Sequence, residues 1–342
     1  MDNTSNCNRL GLTKADYTGK PSTLCKGCGH DSITNAMIQA YYELGVPPHE
    51  VIKLSGIGCS SKTPTYFIER GHGFNGVHGR MPSLATGAKA ANHKLYAIGV
   101  SGDGDTASIG MGQFCHLIRR NVDMTYLIEN NGVYGLTKGQ FSATADKGSK
   151  AKKGQPNKFE TIDCCAIAIE LGCSFVARSF SGDRKQLIQL IKAAHSHKGL
   201  ALLDIVSPCV TFNNHEGSTK SYSFAKDHEV PLQELGYVPF YDEVQVEVKE
   251  GEETEIKLHD GSILKLKKLN KDYDPSCADT ALKMIHDSRD SQQLLTGLLY
   301  YRENTLDMDQ MLNVTDTPLS QLKEKDLDPG PDVLKKIMAS MK

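Results

Sequence analysis

Four short apolar segments in the first two thirds of the chain are nearly continuous in hydrophobicity rather than alternating. They are Val51–Leu54, Leu95–Val100, Met124–Ile128 and Leu202–Val206. Continuous apolar runs of this length are typical of strands covered on both faces, as in a parallel sheet. Segments with helical periodicity lie between them or beside them, at Ser32–Leu44, Ser108–Arg120, Cys164–Leu171 and Arg184–His195. This alternation predicts an α/β fold with a mainly parallel sheet flanked by helices, and either Asp31 or Ser32 is the expected N-cap of the first helix.

The pattern changes after about residue 235. Glu243–Val248 and Glu253–Leu258 alternate polar and apolar residues, and Asp260-Gly261 offers a tight turn before Ser262–Leu269. Alternation around such a turn is typical of an antiparallel hairpin with one solvated face. We therefore predict a main domain over residues 1–235 and a smaller C-terminal unit over residues 236–342. The last part of that unit, 304–342, is acidic and contains proline, and we expect it to wrap a neighbouring surface.

Composition and charge exclude several classes of protein. The 342 residues are 39% hydrophobic and 23% charged, as in an ordinary globular chain. The formal net charge of −2 gives no electrostatic reason to expect a nucleic acid or an anionic membrane as partner. No apolar run approaches the roughly 18–20 residues that cross a bilayer, and the polar N-terminus lacks an export signal. We expect a cytoplasmic protein, where clustered cysteines bind metal more often than they form disulfides.

Four polar or cysteine-containing motifs each follow one of the predicted strands. Cys59 follows the first strand, Gly102-Asp-Gly-Asp105 the second, Asn130-Asn131 the third and Cys209 the fourth. Open α/β sheets bind their ligands beyond the carboxyl ends of the strands. We therefore expect the four motifs to converge in space despite their separation in sequence.

The segment from Gly102 to Asn131 predicts a site for thiamine diphosphate and Mg²⁺. Asp103 offers a carboxylate oxygen, Asn131 an amide oxygen and Val133 a backbone carbonyl, which are the oxygen ligands that Mg²⁺ prefers. The glycines allow the backbone to approach a diphosphate closely, beside a following helix N-terminus. A Gly-Asp-Gly triplet alone is an ordinary turn, and a calcium loop would require further acidic ligands that the spacing here does not supply. The triplet, the asparagine pair and their placement at strand ends together favour the thiamine site.

A set of four cysteines brackets this segment. Cys25-Lys-Gly-Cys28 alone fits a zinc site, a redox dithiol or an iron–sulfur cluster. A structural zinc site usually has a second paired motif, whereas Cys59 and Cys209 each occur singly. Four thiolates from three separate segments suit a [4Fe–4S] cluster, with zinc as the alternative. The remaining cysteines are expected to have no ligand role, namely Cys7, Cys115, Cys164, Cys165, Cys173 and Cys277.

A basic segment, Ser142–Lys158, lacks apolar periodicity. It contains Lys147, Lys150, Lys152, Lys153 and Lys158. Its first interpretation is a solvated flexible loop, because connecting segments of this composition usually lie on the surface. The alternative is a mobile loop over the site, or a contact for an anionic ligand or partner.

In their order along the chain, these motifs resemble the beta subunit of 2-oxoacid:ferredoxin oxidoreductases. The resemblance rests on Cys25-Lys-Gly-Cys28-Gly-His30, Gly56-Ile-Gly-Cys59-Ser-Ser, His78-Gly-Arg80, Gly102-Asp-Gly-Asp105, Asn130-Asn-Gly-Val-Tyr-Gly-Leu-Thr-Lys-Gly-Gln140, Ser207-Pro-Cys209 and His215-Glu-Gly-Ser-Thr-Lys220. It covers most of the first 240 residues. The form of Gly135–Gln140 is more similar to enzymes for 2-oxoglutarate, or for a broad range of 2-oxo acids, than to strict pyruvate enzymes.

The resemblance implies a role for each matching residue. It implies a [4Fe–4S] cluster on Cys25, Cys28, Cys59 and Cys209, and Mg²⁺ on Asp103, Asn131 and the Val133 carbonyl. The residues that it implies for cofactor binding are Ile57, Gly58, Cys59, Ser60, His78, Gly102, Gly104, Asp105, Tyr134, Gly135, Leu136 and Thr137. Those that it implies to face the substrate are Lys62, Leu136 and Lys138.

The same resemblance implies an activity and its partners. The expected reaction is oxidative decarboxylation of 2-oxoglutarate with coenzyme A to succinyl-CoA and CO2, with electrons passing through the cluster to ferredoxin. The reverse carboxylation is chemically open. An alpha subunit is an expected partner, because thiamine enzymes need a second domain and the chain has none. The alternatives are the same chemistry with pyruvate or broad specificity, a non-redox thiamine decarboxylase with structural zinc, and a non-catalytic zinc-binding scaffold.

Overall fold

The structure is a computed structural model that describes residues 6–150, 155–241, 253–268 and 273–341. Its strands in chain order are β1 (Val51–Ser55), β2 (His72–Asn75), β3 (Tyr96–Gly102), β4 (Met124–Asn130), β5 (Val133–Tyr134), β6 (Gln140–Phe141), β7 (Phe175–Phe180), β8 (Leu200–Val206), β9 (Glu229–Pro231), β10 (Gln233–Val238), β11 (Glu253–Lys257), β12 (Ile263–Lys268) and β13 (Leu294–Tyr301).

The helices surround these strands. They are α1 (Gly29–Leu44), α2 (Thr63–Tyr66), α3 (Met81–Ala91), α4 (Met111–Arg120), α5 (Cys164–Glu170), α6 (Arg184–Ser196), α7 (Tyr222–His228), α8 (Ala278–Asp290), α9 (Met308–Met311), α10 (Glu324–Leu327) and α11 (Pro331–Ser340). Across the described ranges, no helix is both long enough and apolar enough to span a membrane.

The main sheet contains the four strands that the apolar segments predict. In the described part of the chain its order is β2-β1-β3-β4-β8-β7-β13-β9. Neighbouring strands are parallel, apart from β13, which runs antiparallel to β7. The predicted α/β class with a mainly parallel sheet is confirmed. The strands β1, β3, β4 and β8 are consecutive neighbours, so their carboxyl ends lie side by side.

Both faces of this sheet are covered, which explains the continuous apolar strands. In β4, Leu127 belongs to a core cluster that includes residues of α1 and α6. Tyr126 and Ile128, on the opposite face, belong to a second cluster with residues of α3, α4, α5 and α8. Successive side chains of a strand point to opposite faces, so a strand between two apolar layers needs apolar residues at every position.

Two helix boundaries differ from the sequence prediction. The predicted helix Ser108–Arg120 is a π-helical turn, Gly104–Ile109, followed by α4. Gly110 lies between the two. A side chain is excluded at this position because a Cβ would lie 2.6 Å from the Asp105 carbonyl oxygen. The prediction of Asp31 or Ser32 as N-cap is wrong, since α1 begins at Gly29 with Cys28 as its N-cap. Asp31 lies within the first turn, where its negative charge still interacts favourably with the helix dipole.

The C-terminal part contributes strands to the main sheet and to a small antiparallel sheet. A small antiparallel sheet forms in the order β10-β12-β11, as the alternating pattern predicts. The predicted strand Glu243–Val248 lies outside the described residues. β13, whose pattern the sequence analysis did not assign, joins the main sheet beside β7. The division of the chain near residue 235 stays a prediction, as does the wrapping role of the tail, whose helices α10 and α11 are largely exposed.

A buried lysine in β1 leads to a prediction about stability. Lys53 is 5% exposed, and its ammonium donates to the carbonyls of Pro64 and Phe67, both at 2.9 Å. Burial lowers the pKa of Lys53 from 10.5 to about 8. Above pH 8 the folded protein therefore releases a proton that the unfolded chain retains, and stability rises with pH until the unfolded lysine also titrates. We expect the unfolding free energy of the wild type, relative to Lys53→Met, to rise by about 1 kcal/mol between pH 8 and pH 9.

Chemical denaturation of both proteins across pH 7–10 checks this expectation. Other titrating groups are common to the two proteins and cancel in the difference. A difference that does not change with pH would show that Lys53 remains charged in the folded protein.

Candidate active site

A cleft lies at the carboxyl ends of β1, β3 and β4. It is lined by His30, Ile57, Gly58, Cys59, Ser60, His78, Gly102, Asp103, Gly104, Asp105, Glu129, Asn131, Val133, Tyr134, Gly135, Leu136 and Thr137. All the residues that the sequence analysis expects to bind thiamine diphosphate or Mg²⁺ are in this set. The topology thus brings together segments that lie far apart in sequence, because the strands before them are neighbours in one parallel sheet.

Asp103 is the most elaborately supported carboxylate of the cleft. It is 1% exposed. Its Oδ2 accepts hydrogen bonds from the Gly132 amide at 3.1 Å, from Thr144 Oγ1 at 2.6 Å and from Ser142 Oγ. Its Oδ1 accepts a longer hydrogen bond from the Asn131 amide, at 3.3 Å. Burial raises the pKa of Asp103, although these hydrogen bonds act to lower it. A cation bound to this carboxylate would compensate the buried charge, and Asp103 lines the cleft.

Asp105 fastens a loop of the cleft. Its Oδ1 accepts the Gly79 amide at 2.8 Å, next to His78, and its Oδ2 accepts Ser101 Oγ at 3.0 Å. Gly56 leaves space for this carboxylate, since a Cβ at Gly56 would lie 1.8 Å from Asp105 Oδ2. The observed contacts of Asp105 therefore position His78 within the cleft.

The four cysteines of the predicted cluster converge beside the cleft. A methyl group at Gly135 would lie 3.4 Å from Cys59 Sγ and 3.7 Å from Cys209 Sγ. Thr211, two residues after Cys209, donates its hydroxyl to Cys25 Sγ at 3.5 Å. The amide after Cys28 donates to the Pro208 carbonyl at 3.2 Å. Gly135 lines the cleft as well, so the cysteine set and the cleft share a wall.

The thiols differ in exposure and in acidity. Cys28 is buried, Cys59 and Cys209 are half-buried, and Cys25 is exposed. Burial raises the pKa of Cys28 to about 12, and burial followed by the neighbouring Cys209 raises that of Cys59. Among the described residues, no group of His, Cys, Asp or Glu side chains is arranged to hold a single metal ion. The four thiols are the ligand type of an iron–sulfur cube, which is larger than a single ion.

A buried acid–imidazole pair, Glu129 and His30, also lines the cleft, and the sequence analysis assigned neither residue a role. His30 Nδ1 is 2.6 Å from Ser207 Oγ and 3.4 Å from Glu129 Oε2, and Thr63 donates its hydroxyl to Glu129. Burial raises the pKa of Glu129 well above its usual value and lowers that of His30 to about 4. A neutral pair is therefore favoured over an ion pair. The available sequence signal was an acidic residue at the end of an otherwise apolar strand.

The expected substrate-facing residues lie at different places relative to the cleft. Leu136 lines it and is 50% exposed. Lys138 is exposed at positive φ, and Lys62 lies outside the cleft lining with its ammonium 3.5 Å from Thr23 Oγ1. Lys62 is nevertheless close enough to Cys59 to oppose the rise in the pKa of that thiol. The structure therefore places one of the three directly in the cleft.

The beginning of the basic segment is built into the site, which corrects its interpretation as a solvated loop. Ser142 and Thr144 are buried against Asp103. Asp146 accepts the Thr219 amide at 2.9 Å and the Thr219 hydroxyl at 2.6 Å. Lys147 pairs with the exposed Glu160. Lys152 and Lys153 lie outside the described residues.

The comparisons with known proteins agree with this geometry. Residues 56–205 match the family model described as thiamine pyrophosphate enzyme, C-terminal TPP binding domain. The matched range contains the cleft residues that follow β1, β3 and β4. Fold and site together define a thiamine-diphosphate-binding enzyme domain.

Similar proteins narrow this class to a family. The chain is 42% identical over 245 residues to the 2-oxoacid:ferredoxin oxidoreductase subunit beta of Sulfolobus sp, covering 71% of this chain and 77% of the relative. It is 37% identical over 217 residues to the 2-oxoglutarate synthase subunit KorB of Methanocaldococcus jannaschii, covering 62% of this chain and 80% of the relative. The chain belongs to the family of 2-oxoacid:ferredoxin oxidoreductase beta subunits.

A solved structure extends the similarity to the whole chain. It is the 2-oxoglutarate:ferredoxin oxidoreductase from Magnetococcus marinus with 2-oxoglutarate, coenzyme A and succinyl-CoA bound. The TM-score is 0.73 at 29% identity, and the alignment covers 97% of this chain and 96% of that chain. The C-terminal part is therefore included in the shared architecture.

A glycine of the cleft provides a steric test of the site. A Cβ at Gly104 would lie 2.5 Å from Tyr134 Cε1, and the Tyr134 hydroxyl donates to the Gly104 carbonyl at 3.0 Å. We expect Gly104→Ala to displace the ring at a cost of about 1–3 kcal/mol, which is typical of overpacking, and to weaken the binding of thiamine diphosphate because Tyr134 lines the cleft. Isothermal titration calorimetry with Mg²⁺ present measures the affinity.

Gly112 provides the matched control. A Cβ at Gly112, in the first turn of α4, meets nothing within 4 Å. Gly112→Ala should leave cofactor affinity unchanged, with stability equal to or slightly above that of the wild type. Wild-type affinity in Gly104→Ala would mean that the cofactor does not depend on the Tyr134 ring position.

Proposed function

We propose that this chain is the beta subunit of an enzyme that oxidatively decarboxylates 2-oxoglutarate. The products are succinyl-CoA, formed with coenzyme A, and CO2, and the electrons pass through a [4Fe–4S] cluster to ferredoxin. The main support for this proposal is the position of Gly135. This residue lines the cleft and also lies next to the sulfur atoms of Cys59 and Cys209. An electron donor and its acceptor need such proximity. The reverse carboxylation uses the same groups.

The residues of the site fit the groups that the proposal requires. Asp103, Asn131 and the Val133 carbonyl would hold Mg²⁺, while Gly102, Gly104, Gly135 and their neighbours would hold the diphosphate. Cys25, Cys28, Cys59 and Cys209 would hold the cluster. Thiamine diphosphate, when bound, supplies the carbanion chemistry for loss of CO2 from a 2-oxo acid, and the protein supplies position and charge.

An alpha subunit completes the proposed enzyme. Thiamine enzymes need a carboxylate at the aminopyrimidine ring from a second domain, and the family model matches one region of this chain. The relatives carry the name subunit beta, which supports a multi-subunit assembly. The isolated chain should therefore show no turnover of 2-oxoglutarate with a viologen dye, whereas the complex with its alpha subunit should.

The composition of the protein tests the redox half of the proposal. We expect about four iron and four acid-labile sulfide per chain after anaerobic purification, with a brown absorbance that dithionite bleaches. Stoichiometric zinc without iron would instead support a non-redox thiamine decarboxylase. The complex should then reduce ferredoxin only when 2-oxoglutarate and coenzyme A are both present.

A broad 2-oxo-acid specificity is the second candidate. Several relatives are named 2-oxoacid:ferredoxin oxidoreductases, whereas others, and the solved structure, carry 2-oxoglutarate in their names. Rates of ferredoxin reduction with 2-oxoglutarate, pyruvate and an aryl 2-oxo acid distinguish the candidates. Comparable kcat/KM values for all three would favour broad specificity.

Lys62 tests the preference for a dicarboxylate. A second cation near the distal carboxylate would favour 2-oxoglutarate, and a hydrogen bond to a charged group contributes about 1.5–3 kcal/mol. We expect Lys62→Met to lower kcat/KM for 2-oxoglutarate, relative to pyruvate, about tenfold or more. Lys26→Met, which removes an exposed charge next to the same cysteines, is the control and should leave the ratio unchanged. Equal losses for both substrates in Lys62→Met would assign Lys62 to the cysteine set instead.

A further inference from the structure

A chain of buried polar side chains connects Asp103 to Arg178, a buried arginine of strand β7. Thr144 Oγ1 lies 2.6 Å from Asp103 Oδ2 and 2.9 Å from Asn130 Oδ1. The Asn130 amide donates to Asp204 Oδ1 at 2.9 Å, and Arg178 Nε donates to Asp204 Oδ2 at 3.1 Å. All five residues are at most 8% exposed. Buried polar networks of this kind hold their members in one arrangement when every member is satisfied.

The far end of the chain is anchored to rigid elements. Arg178 in β7 and Asp204 in β8 are register partners of adjacent parallel strands. The Arg178 guanidinium also donates to both oxygens of Asp163, at 2.7 and 2.8 Å. Asp163 in turn accepts the Ala166 amide at 3.0 Å as the N-cap of α5. Asp204 therefore occupies a fixed position that does not depend on the cleft.

The Asp204–Arg178 pair fixes the direction of the hydrogen bonds. A carboxylate offers only acceptors, so Asn130 must turn its NH2 group towards Asp204 and its carbonyl towards Thr144. The Thr144 hydroxyl then has one proton and two neighbouring acceptors, Asn130 Oδ1 and Asp103 Oδ2. The proton is therefore shared in a three-centre bond whose shorter arm, at 2.6 Å, goes to Asp103 Oδ2, and the Asn130 carbonyl fixes the position of the Thr144 hydroxyl beside that carboxylate.

Asp103 receives this support on one oxygen. Its Oδ2 takes Thr144, Ser142 and the Gly132 amide. Oδ1 accepts the longer hydrogen bond from the Asn131 amide, at 3.3 Å. The network thus saturates Oδ2 and leaves Oδ1 as the oxygen with capacity for a cation.

We propose that Asp204, held by Arg178, is a positioning residue for the cation-binding carboxylate Asp103, acting through Asn130 and Thr144. The inference rests on the proposed role of Asp103 in holding Mg²⁺ with thiamine diphosphate. Asp204 itself does not line the cleft. Groups that orient a metal ligand through hydrogen bonds typically change metal affinity 10–100-fold when they are replaced.

The test is the dissociation constant for thiamine diphosphate at fixed Mg²⁺, measured by calorimetry on the full chain purified with its alpha subunit. Thr144→Val removes the hydroxyl at nearly constant shape, and Asp204→Asn removes the carboxylate that orients Asn130. Each is expected to raise the dissociation constant about tenfold or more. The double variant should bind no worse than the weaker-binding single variant, because both changes break one chain. Thr144→Ser restores the hydroxyl and should restore most of the affinity.

A matched control separates positioning from general stability. Asp123 is an ion-paired aspartate just before the opposite end of β4, with Lys198 at 2.9 Å and Lys89 at 3.2 Å. Asp123→Asn should lower the melting temperature without changing the dissociation constant. If Asp204→Asn does not yield folded protein, wild-type affinity in Thr144→Val still overturns the inference, because the proposed route from Asp204 to Asp103 passes through Thr144.

Two results would overturn the inference. One is wild-type affinity in Asp204→Asn or Thr144→Val. The other is a double variant whose loss equals the product of the two single losses, which would mean that the residues act independently. Absence of binding by the wild type would overturn the proposed function and this inference with it, and the wild-type titration therefore tells the two failures apart.

Discussion

Replacing Cys209 with serine is expected to remove the iron while the thiamine-binding domain stays folded. In the proposed enzyme the Cys209 thiolate would bind iron, and a serine hydroxyl does not ionise readily enough to replace it. Without the proposed cluster, electrons from the 2-oxo acid would have no acceptor in this chain. The rate of ferredoxin reduction should fall at least about 100-fold. Loss of a residue that only supports a metal ligand typically costs about 10–100-fold, and loss of the ligand itself should cost at least as much. Iron, acid-labile sulfide and the visible spectrum measure the cluster directly.

Cys115 supplies the matched control for this experiment. Both Cys115 and Cys209 are half-buried free thiols, but Cys115 lies in α4 and is not one of the four cysteines of the predicted cluster. Cys115→Ser should keep wild-type iron content and turnover. Thiamine diphosphate affinity of Cys209→Ser should remain near that of the wild type. Full iron content in Cys209→Ser would mean that the ligand set is assigned incorrectly.

Asp103→Asn should produce the second large effect, on cofactor binding. The substitution keeps the shape but removes the charge that a divalent cation requires. The amide oxygen can keep the place of Oδ2 towards Thr144 and the Gly132 amide, which puts the NH2 group at the place of Oδ1, where it faces the Asn131 amide and repels a cation. We expect the affinity for thiamine diphosphate in Mg²⁺ to fall at least about 100-fold, beyond the effect of a residue that only supports a ligand. Calorimetry at several Mg²⁺ concentrations measures it.

Asp183 controls for the loss of a carboxylate elsewhere in the fold. It caps α6 by accepting the Gln186 amide at 3.1 Å. Asparagine is an equally good N-cap, so Asp183→Asn should change neither stability nor cofactor affinity appreciably. If Asp103→Asn bound the cofactor as tightly as the wild type, the magnesium site would have to be sought on other oxygens of the cleft.

The buried Glu129–His30 pair gives the site a polar wall, and the motifs that contain His30 and Ser207 do not indicate that these residues meet Glu129. Its members come from β4 and α1, and Ser207 and Thr63 complete it. His30 and Ser207 lie 177 positions apart in sequence. A contact of that separation depends on the order of strands in the sheet. Local patterns of hydrophobicity carry no information about that order.

Some features followed from the sequence alone. The continuous apolar segments predicted β1, β3, β4 and β8, because a strand between two helix layers must be apolar at every position. The motifs after those strands predicted the composition of the cleft, because parallel strands end at one edge. The assignment of thiolates to a cluster and of oxygens to Mg²⁺ follows from residue type and stays a prediction.

Only the tertiary structure decided how those residues are supported. It attached the start of the basic segment to Asp103 through Ser142 and Thr144, and it placed β13 in the main sheet beside β7. It also placed the Asp105 carboxylate where it accepts a hydrogen bond from the Gly79 amide, next to His78. Each of these arrangements is set by packing between distant segments, where shape and the pairing of buried polar groups select the partner. Residue type and spacing determine which ligands the chain offers, and the packed fold determines which of their atoms face the cleft.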